Sequence, residues 1–275
     1  MQSIKYVLFI ALLFSAVAQG HQQDGATYIG NEGVMITDGD TKVLFDPFFH
    51  NSYNIYQLVP EDIREAMFSG TAPYGGITAI FISHAHGDHF SAEDTLRFLK
   101  THANTKLIAP QQAIDMLQKL PDSTTVKGQI EAIQMKFGDA PVMVKLNDLE
   151  IEAVRIPHAG WPQRADVSNL VFRVTLNDRM TVMHLGDADP DDTHYQPFAD
   201  HWQSRVTHTA FPPYWFLTGE AGLKILRERL NTQHNIGVHV PVKVPAELRQ
   251  SGEDFFSKPG ERRSIQIQHK EAAKN

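Results

Sequence analysis

The stretch Ile77-Thr78-Ala79-Ile80-Phe81-Ile82-Ser83-His84-Ala85-His86-Gly87-Asp88-His89 decides how the rest of the chain is read. Its first six residues are apolar and β-prone, which predicts a buried strand. That strand delivers three imidazoles and a carboxylate into one turn, and these groups are donors for a borderline divalent cation such as zinc. A helical zinc motif places two histidines at i and i+4. Here His84 and His86 stand at i and i+2 after an extended strand, where alternate residues point to the same side. The spacing predicts that His84 and His86 grip one ion while Asp88 and His89, further round the turn, serve a second. The chain has 14 His among 275 residues, too few for a chance cluster at a strand end to be the better reading.

Outward from this loop the text alternates between strand and helix. Upstream, residues 26–29 and 33–37 read as short strands, Asp38-Gly39 as a hairpin turn, and 42–45 as a returning strand that ends at Asp46-Pro47. A long aromatic connection, 48–76, follows, with a short helix opening at Pro60. Downstream, Ser91 caps a helix with Asp94 three positions on, 106–109 is a strand, and Pro110 starts a second helix through Leu117. Strand, helix, strand, helix is the pattern of a parallel sheet segment. The second half returns to hairpins: 142–146 with 149–156 about Asn147-Asp148, and 170–176 with 180–185 about Asn177-Asp178. A helix is predicted over 220–230 and a last strand over 236–240. Neither a repeat nor an interdomain linker is visible, so residues 19–275 read as one domain.

Composition narrows the class. Hydrophobic content of 42% with 21% charged residues is that of a globular chain with a sizeable core. A net charge of −7 argues against nucleic acid as partner, which calls for a basic stripe. Residues 1–18 read as a signal peptide: Lys5, an apolar run 6–14, and the small-residue site Ala16-Val17-Ala18. The run is shorter than the roughly 20 apolar residues of a membrane span, so no stable membrane insertion is expected after cleavage, and the expected location is periplasmic or secreted. With 0 Cys there is no thiolate ligand, no thiol nucleophile and no disulfide.

The ligand set is completed from strand ends. A catalytic zinc keeps three protein donors and an open position. His158, in Pro157-His158-Ala159-Gly160 just past a strand, is the third partner of His84 and His86. Asp187, in Leu185-Gly186-Asp187, is placed to bridge two cations, since a glycine before it allows the tight turn that projects the acid over the sheet edge. The second ion then has Asp88, His89, Asp187 and one more histidine. His239 is the choice, with His208 and His234 as competitors; His184 falls out of register with Asp187 and is assigned a structural role.

Together, His84-x-His86-x-Asp88-His89, His158, Gly186-Asp187 and His239 resemble the metallo-β-lactamase-fold hydrolase superfamily, over about residues 26–240. The resemblance implies an α/β fold, a four-layer αββα metallo-β-lactamase-type sandwich, with metals in a cleft at the edge of the β-core. It also implies that Asp46 is the acid that orients the metal loop. Asp187 departs from the zinc β-lactamases, which carry Cys or Ser at that turn, and fits the lactonase, thioesterase and phosphodiesterase branches. The text 78–83 and the closing His239 look most like the lactonase and phospholipase-like branch. The oxygen-reducing diiron branch usually has Glu where His86 stands, which disfavours redox chemistry. The expectation is an exported hydrolase with two Zn2+ per chain. A hydroxide between the ions attacks an ester or lactone, or alternatively a phosphodiester, and Asp88 takes the proton as catalytic base. The small-molecule substrate is expected to lie in a cleft walled by aromatics from 48–76, Trp161 and 211–216. A zinc β-lactamase-like enzyme and a non-catalytic exported zinc-binding protein are the alternatives.

Overall fold

The computed structural model describes residues 24–267, so the predicted signal peptide lies outside the described residues. The chain opens with the meander β1 (Gly25–Gly30), β2 (Gly33–Asp38) and β3 (Thr41–Phe45). It continues through α1 (Glu61–Ser69), β4 (Ile77–Phe81), α2 (Ala92–Thr101), β5 (Lys106–Pro110), α3 (Gln111–Gln118) and β6 (Ile130–Ile133). Four antiparallel strands follow: β7 (Val142–Leu146), β8 (Leu149–Arg155), β9 (Leu170–Leu176) and β10 (Met180–His184). The last third contributes α4 (Ala199–Gln203), β11 (Thr207–Phe211), α5 (Trp215–Thr218), α6 (Glu220–Lys224), β12 (Thr232–Gly237), α7 (Ala246–Ser251), β13 (Asp254–Phe255) and β14 (Arg262–Arg263).

These strands form two sheets of seven, ordered β14-β1-β2-β3-β4-β5-β6 and β13-β12-β11-β10-β9-β8-β7. Val43, Phe45, Ala79, Phe81 and Ile108 of the first sheet share one apolar core with Ile151, Phe172, Val174 and Phe211 of the second. The Phe81 and Phe172 rings meet across it at 5.2 Å. On the outer face of the first sheet Leu44, Ile80 and Leu107 pack against Leu96, Phe98, Leu99, Ile114 and Leu117 of α2 and α3. On the outer face of the second, Val154, Val171 and Met183 pack against Trp202, Phe216, Leu226 and Leu248. The result is the predicted four-layer αββα sandwich. It explains why 77–82 and 170–176 are apolar at nearly every position: their strands are covered on both faces. By contrast β7, a sheet edge, exposes Met143 and Lys145 in alternation.

Three sequence expectations need correction. The helix predicted over 220–230 is α-helical only to Lys224 and continues through Ile225–Arg229 as a π-turn, with Leu230 N–H donating to the Ile225 carbonyl. The five-residue spacing puts Ile225 and Leu230, both buried, on one side. The strand predicted over 236–240 begins earlier, at Thr232, and stops at Gly237, so His239 lies beyond it. Its polar half, Thr232-Gln233-His234-Asn235, hides the strand from a hydrophobic pattern because only the two-residue β13 covers that edge. Strands β6 and β11 have no counterpart in the sequence reading, β6 because it is only four residues long and β11 because three of its five residues are polar.

Candidate metal centre

All seven predicted donors converge at one end of the sandwich, on loops that leave the C-terminal ends of β4, β8, β10 and β12. His84, His86, His158 and Asp187 each offer an atom within 4.8 Å of the others, and Asp88, His89 and His239 form a second such group. Asp187 joins the two. Its Oδ2 lies 3.2 Å from His158 Nε2 and 3.9 Å from His84 Nε2, while its Oδ1 lies 3.3 Å from both His89 Nε2 and His239 Nε2. Asp88 Oδ2 closes the second group at 3.4 Å from His239 Nε2 and 3.6 Å from His89 Nε2. His208 and His234, the competitors for His239, are elsewhere: His208 Nδ1 accepts from the Thr181 N–H, and His234 faces Asp254 at 3.3 Å on the surface.

Partners on the far side of each ring determine which nitrogen faces inward. His84 Nδ1 is 3.0 Å from Ser83 Oγ, His158 Nδ1 donates to the Ala159 carbonyl at 2.7 Å, and His89 Nδ1 donates to Asp46 Oδ2 at 2.9 Å. In each case Nε2 is left for the centre, the device that orients metal-binding imidazoles. Asp46 is wholly buried and also accepts from Ser83 N (2.7 Å) and Ser83 Oγ (2.5 Å), which fixes the start of the motif loop. This is the orienting role the resemblance implies. Asp187 is held by its own N–H, which donates to Asn169 Oδ1 at 3.0 Å. Gly186 before it has φ 54°, and a Cβ there would lie 2.6 Å from Ser83 Cβ and closer still to Asn169 Oδ1. Only glycine fits.

The donors suit a cation on the evidence of their own unmet valence. His89 Nε2, His158 Nε2, His239 Nε2 and Asp187 Oδ1 are buried with no hydrogen-bond partner. Leaving such groups unpaired costs about 1–3 kcal/mol each, and one shared cation satisfies several at once. The protonation states of His84, His86 and Asp187 agree with ligation; burial works to lower His89, but the Asp187 and Asp46 carboxylates outweigh it and raise that ring well above its ordinary value, so a cation there would displace a proton. Burial, and then the neighbouring His89, pushes His84 well below its ordinary value, and burial lowers His86, so both imidazoles are neutral. Burial works to raise Asp187, but the imidazoles of His239 and His89 outweigh it and hold the carboxylate ionised.

Several residues at the centre carry no signal in the sequence. Glu32 and Asn31 occupy the β1–β2 turn beneath it. Asn31 Nδ2 donates to the Asp88 carbonyl at 2.9 Å, and His239 N–H donates to the Asn31 carbonyl at 2.9 Å. His184, assigned a structural role, is wholly buried, stacks on Phe45 at 4.9 Å, and pairs through Nε2 with the Glu32 carbonyl at 2.9 Å. Of the aromatic segments, Phe48, Phe49, Phe68, Phe211 and Phe216 are core. The rings that reach the centre are Tyr56 and Trp215, at 4.0 and 5.3 Å from the His239 ring. Trp161 is 39% exposed and packs with Phe137 and His194 on the His158 side. Beside the half-buried His86 opens a cavity of about 340 Å³ whose lining mixes Gln112, Asp115, Lys119 and Asp166 with Ala85, Met116 and Val167.

Comparison with known proteins agrees with the fold. A sequence model of the beta-lactamase superfamily domain matches residues 26–201. A UPF0173 metal-dependent hydrolase of Pyrococcus furiosus is 24% identical over 161 residues, a match covering 58% of this chain and 60% of that relative's length. Among solved structures, one described as a possible metal-dependent hydrolase from Veillonella parvula superposes with a TM-score of 0.59 at 16% identity, covering 89% of this chain and 100% of that one. Igni18, a metallo hydrolase from Ignicoccus hospitalis, superposes with a TM-score of 0.56 at 16% identity, covering 88% and 98%.

Proposed function

Because the chain belongs to the beta-lactamase superfamily domain family, we propose that it is a metal-dependent hydrolase holding two divalent cations and cleaving an ester or lactone. The observation that carries this reading is the pair of donor groups sharing Asp187, each rich in buried atoms without partners. His84, His86 and His158, with Asp187, would hold one ion, and three imidazoles suit zinc there. Asp88, His89 and His239 would hold the other. Cations held there would supply Lewis acidity, which would make a nucleophile available from water near neutral pH and polarise the substrate oxygen.

The chain's own groups divide the remaining work. Burial tends to raise the Asp88 carboxyl, but the facing imidazoles of His239 and His89 hold it below the ordinary range, so it is ionised and able to accept a proton. Its Oδ2 faces the His89 and His239 rings, which leaves Oδ1 as the acceptor for the attacking water. Asp187 spans the two groups and keeps their donors in register. Tyr56 and Trp215 on one side, Trp161 and Phe137 on the other, supply apolar walls that favour an apolar acyl group, while Lys119 and Gln112 beside His86 receive a polar end. Export of the mature chain from Gln19 belongs to the same proposal and rests on the leader text 1–18; intact mass of the secreted protein tests it.

The decisive assay is hydrolysis of a lactone, an aryl ester, a phosphodiester and a β-lactam by protein stripped with chelator and reloaded with zinc. Activity on the lactone or ester should disappear with the metal and return with it. Chelator-insensitive activity would overturn the mechanism, and efficient turnover of the β-lactam alone would overturn the substrate class.

A further inference from the structure

Glu32 is the most unusual carboxylate in the molecule. It sits in the β1–β2 turn with 0% exposure, and neither of its carboxyl oxygens has a hydrogen-bond partner among the described residues. One of them, Oε2, lies 3.6 Å from His184 Nε2 and 3.9 Å from His89 Nδ1, yet both nitrogens are already engaged, with the Glu32 carbonyl and Asp46 respectively. The turn cannot swing the side chain out to water, because the Asn31 carbonyl, the Asn31 side chain and the Glu32 carbonyl are each bonded to a different ligand-bearing segment. A buried carboxyl held without a partner is costly, so its retention calls for a partner that is not a protein group.

The surroundings identify that partner. Glu32, His89 and Asp187 each offer an atom within 4.8 Å of the other two, and His89 Nε2 and Asp187 Oδ1 are orphaned as well. We propose that Glu32 is a further donor to the cation held by Asp88, His89, His239 and Asp187, an inference that rests on the two-cation reading above. Glu32 Oε2 stands on the Nδ1 side of the His89 ring, so the glutamate torsions must carry an oxygen round toward Nε2 to reach the roughly 2.0–2.2 Å of a ligating donor. The second position then carries three carboxylates and two imidazoles, against one carboxylate and three imidazoles at the first. Carboxylate-rich sets suit harder, higher-coordinate ions, and the position therefore accepts Mn2+ in a protein whose first position is filled with zinc.

The test uses the metal-free protein given one equivalent of Zn2+ and then titrated with Mn2+ by calorimetry, with bound metal confirmed by elemental analysis. Wild type should take up one Mn2+. Glu32→Gln should bind it at least tenfold more weakly while retaining its zinc, and metal-free Glu32→Met should melt at or above the metal-free wild type, since it loses only an unpartnered acid. Manganese affinity of Glu32→Gln within twofold of wild type overturns the assignment, as does a metal-free Glu32→Met that melts several degrees lower. A wild type that takes up no second ion, neither Mn2+ nor further Zn2+, removes the two-cation reading itself and Glu32 with it.

Discussion

Replacing Asp46 by Asn changes one atom of a wholly buried side chain that is no donor itself, and should disable the half of the centre served by His89, the ring it orients. The backbone at Asp46 has φ 40°, a left-handed conformation that Asn tolerates as Asp does, so the substitution adds no strain. The amide oxygen can keep the bond from Ser83 N, but an NH2 group now stands where Oδ2 accepted from Ser83 Oγ and His89 Nδ1. Two bonds to a charged acceptor are worth about 1.5–3 kcal/mol each. Rotation of the Ser83 hydroxyl recovers part of one, leaving a loss of about 3 kcal/mol. For a chain of this size that corresponds to a melting point lower by about 6–12 °C. The effect on metal follows from the tautomer. To accept from the new amide, His89 must move its proton to Nε2, the atom that faces Asp187 and Asp88, and a protonated Nε2 cannot bind a cation. Partners of this kind are worth about 10–100-fold in metal affinity. Thermal unfolding of the metal-free protein and equilibrium dialysis of the loaded one measure the two effects separately. A variant that melts with wild type and holds its second ion within twofold would refute the account of how His89 is oriented.

Asp187→Asn should cost at least 100-fold in activity and one equivalent of metal. His184→Ala should keep its metal and lose about 2–4 kcal/mol of stability from the cavity beside Phe45; equal metal loss in both variants would contradict the bridging role of Asp187 and the structural role of His184. Gly186→Ala should lose more than about 3 kcal/mol, because strain at φ 54° adds to the collision with Asn169 and Ser83, and a chemical-denaturation midpoint within error of wild type would count against that packing. At the surface, the Arg229 guanidinium holds the Asp192 carboxyl at about 2, below its ordinary 3.8. A depressed carboxyl stabilises the fold above its unfolded value and loses that contribution as pH falls through the folded one. Asp192→Asn should therefore be about 1 kcal/mol less stable than wild type at pH 7 after allowance for solvent screening, with the gap closing between about pH 4 and 2. A gap that persists at pH 2 would mean the loss is not electrostatic.

What is legible in the sequence depends on where the donors stand. His84, His86, Asp88 and His89 are contiguous, and His158 and Asp187 each follow an apolar strand closely enough for the turn to be recognised. His239 is recognisable as a donor even though its strand ends three residues earlier than the pattern suggests, because a lone imidazole between Val238 and Val240 contrasts with its neighbours whether or not they form a ladder. Glu32 is not legible: a charged residue after Asn31 in a hairpin turn reads as solvated, and only the closing of the sandwich over that turn buries it. The aromatic segments mislead for a related reason. Phe211 and Trp215 are close in the chain, yet one fills the space between the sheets and the other faces His239, a distinction set by tertiary packing that composition cannot carry.

The division of the donors along the chain has a consequence for assembly. Each donor group draws on both halves of the molecule, since His84 to His89 leave the first sheet while His158, Asp187 and His239 leave the second. Four of the seven donors nevertheless lie within six consecutive residues, so the unfolded chain is itself a chelator. A metal stabilises a fold only by the ratio of its affinities for the folded and unfolded forms. Tight binding to the native centre therefore raises the melting point less than its dissociation constant alone would suggest.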